Sequence, residues 1–263
     1  MSYRTVMAVD LQGYGSAKQN VQGLLQENLV GCLREAAGNA GLDSGRWADQ
    51  SSGDGKLMVL PHDVSAEVLV GRFVRELNAA LRGRNRVASR EARARLRLAI
   101  HHGPASEGPN GYTGTAPVVV TRLCNADPLR TALDAAGTDL GVIVSAFVFR
   151  GSIESGMTSL DPQDLRRVRL PSLGHDGDAW IWFPGGPDPH TLDLPGEPAG
   201  EEAGKTAEEG AGEPPGEPPS GPDRARPESG DSPWGAFSGA TIHAAGGTVV
   251  GRDQHNHYYR GRA

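Results

Sequence analysis

Residues 49–60 read DQSSGDGKLMVL: a polar approach, an aspartate between two glycines, then an apolar run ending before Pro61. A tight turn at residues 53–55 joining two strands accounts for the pattern and makes those strands antiparallel neighbours. Asp54 then has two readings, a turn former or a carboxylate held at a strand end to bind something. The stretch alone leaves both open.

Working outward, residues 3–11 (YRTVMAVDL) form a β-branched and apolar run broken by the glycines of QGYGS, which predicts a buried strand carrying Asp10 near its end. A helix follows, with Val21, Leu24, Leu25, Leu29, Cys32, Leu33 and Ala36 recurring at three and four. Beyond the hairpin, Ser65 is a candidate cap for a second helix whose apolar face is Ala66, Leu69, Val70, Phe73, Leu77 and Leu81. RLRLAIHHG, residues 95–103, alternates basic and apolar residues and reads as the next strand. The order strand, helix, strand, strand, helix, strand is the split βαβ arrangement. The expected fold class is α+β, a ferredoxin-like βαββαβ core with helices on one sheet face and the opposite face left for a partner or ligand. Further on, residues 116–137 predict one helix with Pro117 near its first turn, while LGVIVSAFVF and DAWIWF predict strands.

Residues 187–236 contain almost no branched apolar side chain and carry 12 acidic against 3 basic residues, a net of -9 within a chain of -6, so the remainder is +3. Such a stretch cannot offset its ordering entropy and predicts a disordered acidic linker. The expected organisation is a folded unit over 1–186, the linker over 187–236 and a short Gly/His-rich β-prone motif over 237–263. The acidity resides in the linker and does not exclude phosphate binding by the folded unit. Cys32 and Cys124 lack any paired spacing for zinc or a disulfide framework, and no apolar run approaches ~20 residues. The expectation is a reduced, cytoplasmic protein with no membrane and no nucleic-acid partner.

In the predicted strand order Asp10 and Asp54 lie on neighbouring central strands and meet at one edge. Mg²⁺ favours one or two protein carboxylates completed by substrate phosphates and water, and a pair of such ions can clamp a phosphoryl transfer. The glycines beside Asp54 let backbone approach a triphosphate. Together the motifs AVDLQGYGS, SSGDGKLMVL, RLRLAIHHG and GTAPVVVTRL, over residues 3–183, resemble the class III nucleotide cyclases.

That resemblance implies Mg²⁺ or Mn²⁺ held by Asp10, the backbone of Leu11 and Asp54, with Gln50, Gly53, Gly55, Gly111 and Val118 around the nucleotide and Arg122 as the transition-state arginine. It also implies a homodimer, with the metal aspartates on one protomer and the arginine on the other. The chain departs from the pattern at three places. Val118 stands where the family has a ribose-orienting asparagine, Gln50 stands at the base-selecting position, and Gly111 offers no side chain at the second base-reading position. The implied function is a divergent nucleotidyl cyclase in signalling or defence acting on an NTP. The alternative is a catalytically weak or inactive nucleotide-binding module. A diguanylate cyclase or polymerase palm shares the strand order but would require an acidic residue where Gly55 and Lys56 stand.

Other polar groups have plainer readings. His101 and His102 read as surface or turn residues, Arg166, Arg167 and Arg169 as a solvated strand face within reach of a triphosphate, and Trp180 and Trp182 as core or interface packing. In the terminal motif, ATIHA and GTVVG are two β-prone pieces separated by glycines, and His243, His255 and His257 are tail histidines. The motif weakly resembles the glycine-rich amyloid-signalling or partner-recruitment segments of bacterial immune-type proteins, implying a protein partner bound through 237–263 by addition to a sheet edge.

Overall fold

The computed structural model describes residues 2–109, 111–193, 241–244 and 247–250. Most of the expected linker, residues 194–236, and both His255 and His257 lie outside the described residues.

In chain order, β1 (Ser2–Leu11) leads to α1 (Gln19–Asn39), and the hairpin is β2 (Ala48–Ser52) and β3 (Gly55–Val59). A short α2 (Ala66–Val68) runs through a π-turn at Leu69–Phe73 into α3 (Val74–Val87), and β4 (Leu96–Gly108) follows. Next come β5 (Gly111–Thr113), α4 (Thr115–Cys124), α5 (Asp127–Ala136), β6 (Leu140–Ser145) and α6 (Ala146–Val148). The chain continues with β7 (Arg166–Arg169), β8 (Asp178–Trp182), β9 (Thr241–Ala244) and β10 (Gly247–Val250). The sheet order is β10-β9-β2-β3-β1-β4-β6-β8-β7, with β5 paired to β4. β1 is central: it pairs antiparallel with β3 from Val6↔Val59 to Asp10↔Gly55, and with β4 from Ser2↔Ala105 to Leu11↔Leu96.

Successive residues of β1 point to opposite faces of the sheet, and helices cover both, so its alternate residues enter two separate cores. Met7, Val9 and Leu11 pack with Leu25, Leu29, Leu33, Phe73 and Leu77 from the first pair of helices. Val6 and Ala8 pack with Val120, Leu123, Leu129 and Leu133 from α4 and α5. The expected bare sheet face is therefore covered in its centre. The helix expected over 116–137 is the reason it can be covered: it is two helices, broken at Asn125 and Ala126 ahead of Pro128. The break lets α5 fold back over the same face.

The second correction falls in LGVIVSAFVF. The strand stops at Ser145, whose hydroxyl accepts from the Val148 amide and starts a helix through AFV, so a side-chain cap overrides β propensity. Trp180 and Trp182 are core residues, and Trp180 stacks on Phe149 at 4.0 Å between ring centroids. Residues 187–193, assigned to the linker by composition, continue along the sheet: Pro189 is buried, and Arg166 donates to the Pro189 carbonyl at 2.9 Å and to the Leu192 carbonyl.

The histidines also depart from expectation. His101 packs beneath the start of α4, its Nδ1 2.8 Å from the Ser145 hydroxyl, and burial holds its pKa down at about 4. His102 is sandwiched between the exposed rings of Tyr3 and Phe147. Since the folded pKa of His101 lies below the unfolded value of about 6.5, its contribution to stability is complete above that value and lost as pH falls towards 4. Urea unfolding at about pH 7 and about pH 5 should therefore show a loss of roughly 2 kcal/mol from this group. His101→Gln should flatten the pH dependence by that amount; an unchanged slope would contradict a neutral, half-buried imidazole.

Candidate functional site

At the end of β1 the backbone joins two motifs. The Leu11 amide donates to the Asp54 carbonyl at 2.9 Å, and Asp10 stands opposite Gly55 in the ladder. A Cβ at Gly55 would lie 2.8 Å from the Val9 carbonyl and 3.3 Å from Asp10 Oδ1. Glycine is required there by the neighbouring strand and its carboxylate, a stronger reason than the turn. From the other side, the Gln26 amide group donates to the Gly53 carbonyl and to the Tyr14 hydroxyl, at 2.9 Å for the latter, so α1 braces the turn that carries Asp54. Gly53 has φ of +32°.

The group that sequence reasoning missed is Arg97. It faces Asp10 in the β1–β4 register and donates through Nη2 to Asp10 Oδ2. Its side chain is only 6% exposed, against 14% for Asp10. Burial lowers its pKa, although a guanidinium stays protonated throughout the physiological range. Nε and Nη1 are buried without a hydrogen-bond partner. Buried donors of this kind are costly unless something accepts from them, and an arginine fork suits a phosphate oxygen pair. The alternation of RLRLAIHHG does not carry this: only because α4 and α5 cover the second face must a basic residue in β4 be buried and find a counter-charge.

The remaining candidates are distributed over two regions. Gln50 lies in β2, opposite Leu57 on one side and Ile242 on the other. Gly111, with φ of +100°, closes the β4–β5 hairpin. Val118 and Arg122 are one turn apart on α4, and Arg122 is exposed, donating to the Ser172 carbonyl at 2.9 Å. Within the chain, Arg122 has no described contact with Asp10 or Asp54. Arg167 and Arg169 pair with Asp178, at 2.7 and 3.2 Å, and Arg166 holds the segment after β8. Cys32 and Cys124 are free, buried thiols pushed up to about 11 and about 12 by burial, which makes them inert packing groups. A cavity of about 580 Å³ lined by Arg75, Asn78, Leu160 and Trp182 includes none of these residues.

The donor set fits a hard divalent cation: Asp10 Oδ1, the Asp54 carboxylate and the Leu11 carbonyl are all oxygens. Among the described residues no cluster of three or more His, Cys, Asp or Glu is present, so such an ion would need oxygens from a ligand. With Arg97 paired to Asp10, the three side chains sum to one negative charge.

No family model matches the sequence, and no curated protein matches it. Among solved structures, an adenylate/guanylate cyclase/hydrolase from Silicibacter pomeroyi superposes with a TM-score of 0.52 at 19% identity, covering 70% of this chain and 97% of that one. The guanylyl cyclase Cya2 gives 0.48 at 16% identity, covering 69% and 90%. The fold is that of the class III adenylate/guanylate cyclase catalytic domains.

Removing one member of the Asp10–Arg97 pair leaves a buried charge uncompensated. Arg97→Met should therefore cost about 3 kcal/mol of unfolding free energy, and Asp10→Asn combined with it should cost less than the sum of the singles by roughly 1–3 kcal/mol. Strict additivity in urea titrations would show that the pair is not coupled.

Proposed function

We propose that this chain is a nucleotidyl cyclase that closes an NTP to a 3′,5′-cyclic nucleotide at sites shared between two copies. The observation that carries the reading is Arg97: a buried guanidinium with two unpartnered donors, tied to Asp10 beside the Asp54 turn, within a cyclase fold. Nε and Nη1 are closed off from solvent in the chain alone, so the side chain would have to shift outward for them to reach the β- and γ-phosphates, where they would gain the acceptors that they lack. Asp10, Asp54 and the Leu11 carbonyl would hold Mg²⁺ or Mn²⁺, which would supply acidification of the ribose 3′-hydroxyl and neutralisation of charge at the α-phosphate. The reaction forms the 3′-oxygen to α-phosphorus bond and breaks the bond to the bridging oxygen, releasing pyrophosphate and the hydroxyl proton.

The reading calls for a second copy because Arg97, the cation at Asp10, would be taken up by that carboxylate and the β- and γ-phosphates, leaving the charge developing at the α-phosphate without a cation of its own. Arg122, exposed on the outer face of α4, would supply it across a two-fold interface. Gln50 both donates and accepts, so it can pair with more than one base. A second reading, nucleotide binding without turnover, has Val118 behind it, since an apolar side chain beside Arg122 cannot orient a ribose hydroxyl.

The full chain should form a cyclic product from at least one of the four NTPs with Mn²⁺. Asp10→Ala and Arg122→Ala proteins, each inactive, should recover about a quarter of wild-type activity when mixed, the yield expected for one intact site per mixed dimer at random pairing. Absence of product with every NTP would exclude turnover. In that case Mn²⁺-dependent NTP binding that is lost in Arg97→Met would support the second reading, and no recovery on mixing would contradict shared sites.

A further inference from the structure

The two borders of the sheet differ in what protects them. At one, β7 reads RRVR, with Arg167 and Arg169 exposed and Pro171 just beyond, a border that disfavours pairing with another strand. At the other, β2 reads ADQSS and has no lysine, arginine or proline. Its outward backbone is covered instead by β9, with Gln50 opposite Ile242 and Ser51 opposite Thr241. β9 is itself half of a hairpin with β10, held by four residue pairs from Thr241↔Val250 to Ala244↔Gly247.

We propose that the unguarded edge of β2 is a strand-accepting surface, filled in cis by the chain's own hairpin of β9 and β10 and open to a competing β-strand when that hairpin leaves. An isolated two-stranded hairpin is marginal in water, so it gains by joining the sheet. The pairing to β2 is short, two residue pairs against five for β2 with β3, which makes it the exchangeable border of the sheet. The hairpin stays on the same chain as the edge it fills, joined to it through residues 194–240. Tethering gives the hairpin a large effective concentration over the same segment of another molecule. The partner that fits this surface is an extended β-prone segment, read through its main chain. Its seat lies beside Gln50 and one residue from the end of β2, so occupancy of the edge and access to the Asp54 turn are neighbouring events.

The test is independent of any nucleotide chemistry. In the full chain, Ser51→Cys with Thr241→Cys places two thiols at paired positions, while Ser51→Cys with Thr248→Cys is the out-of-register control; both native cysteines are buried. Mild oxidation should link the paired thiols at least about tenfold faster than the control, and within single chains when isotopically heavy and light proteins are mixed. Equal rates, or links joining heavy to light chains, would overturn occupancy in cis. A synthetic peptide of residues 237–252 in large excess should slow the paired link several-fold by taking the same edge. An unchanged rate would overturn the exchange. Failure of the nucleotide assays above would leave these outcomes unaffected.

Discussion

The ion pair between Asp10 and Arg97 sets the conditions for the rest of the molecule. It lies across the two central strands, nearly out of solvent, where neither charge could be left alone without a penalty of several kcal/mol. Holding it requires β1 and β4 in one register, while the pairing of β1 with β3 on its other side places Leu11 against the Asp54 carbonyl and Gly55 against the same Asp10 carboxylate. A replacement by apolar residues of similar volume would serve stability as well or better. The pair therefore asks for a reason beyond stability, and the proposed reaction offers one: the two unpartnered donors of Arg97 would gain their acceptors from the nucleotide's phosphates.

Strong local patterns made much of the fold legible in the sequence. The apolar spacing of α1, the glycine-bracketed Asp54 and the β-branched run before Asp10 each point to an element that the structure contains. The misreadings came from tertiary effects that such patterns do not encode. RLRLAIHHG alternates like a strand with one wet face, yet it sits between β1 and β6 with helices on both sides, so its arginine at 97 is buried and His101 is packed under α4. AFVF has strand-like composition, but the hydroxyl of Ser145 turns it into helix. The helix break before Pro128 went unread, and with it the cover of the second face.

The candidate site shows the same division. Asp10, Leu11, Gly53, Asp54 and Gly55 are adjacent in the structure because a hairpin and its neighbouring strand place them so. Val118 and Arg122 lie on another helix, and Gln50 lies on the strand that also receives β9. Gln50 thus has two roles to reconcile, as a base-reading side chain in the proposed reaction and as part of a border that accepts a strand. In an antiparallel pair the main chain makes the ladder while side chains stand off its faces, so the two roles use different atoms of one residue.

The most direct measurement is anomalous diffraction from crystals of the full chain grown with Mn²⁺ and an NTP analogue that cannot be cyclised. The account predicts manganese bound by Asp10 and Asp54 at about 2.0–2.2 Å, the distance range of small hard cations to oxygen, with phosphate oxygens accepting from Nε and Nη1 of Arg97. Manganese or nucleotide bound elsewhere, with the Arg97 donors still unpartnered, would contradict it.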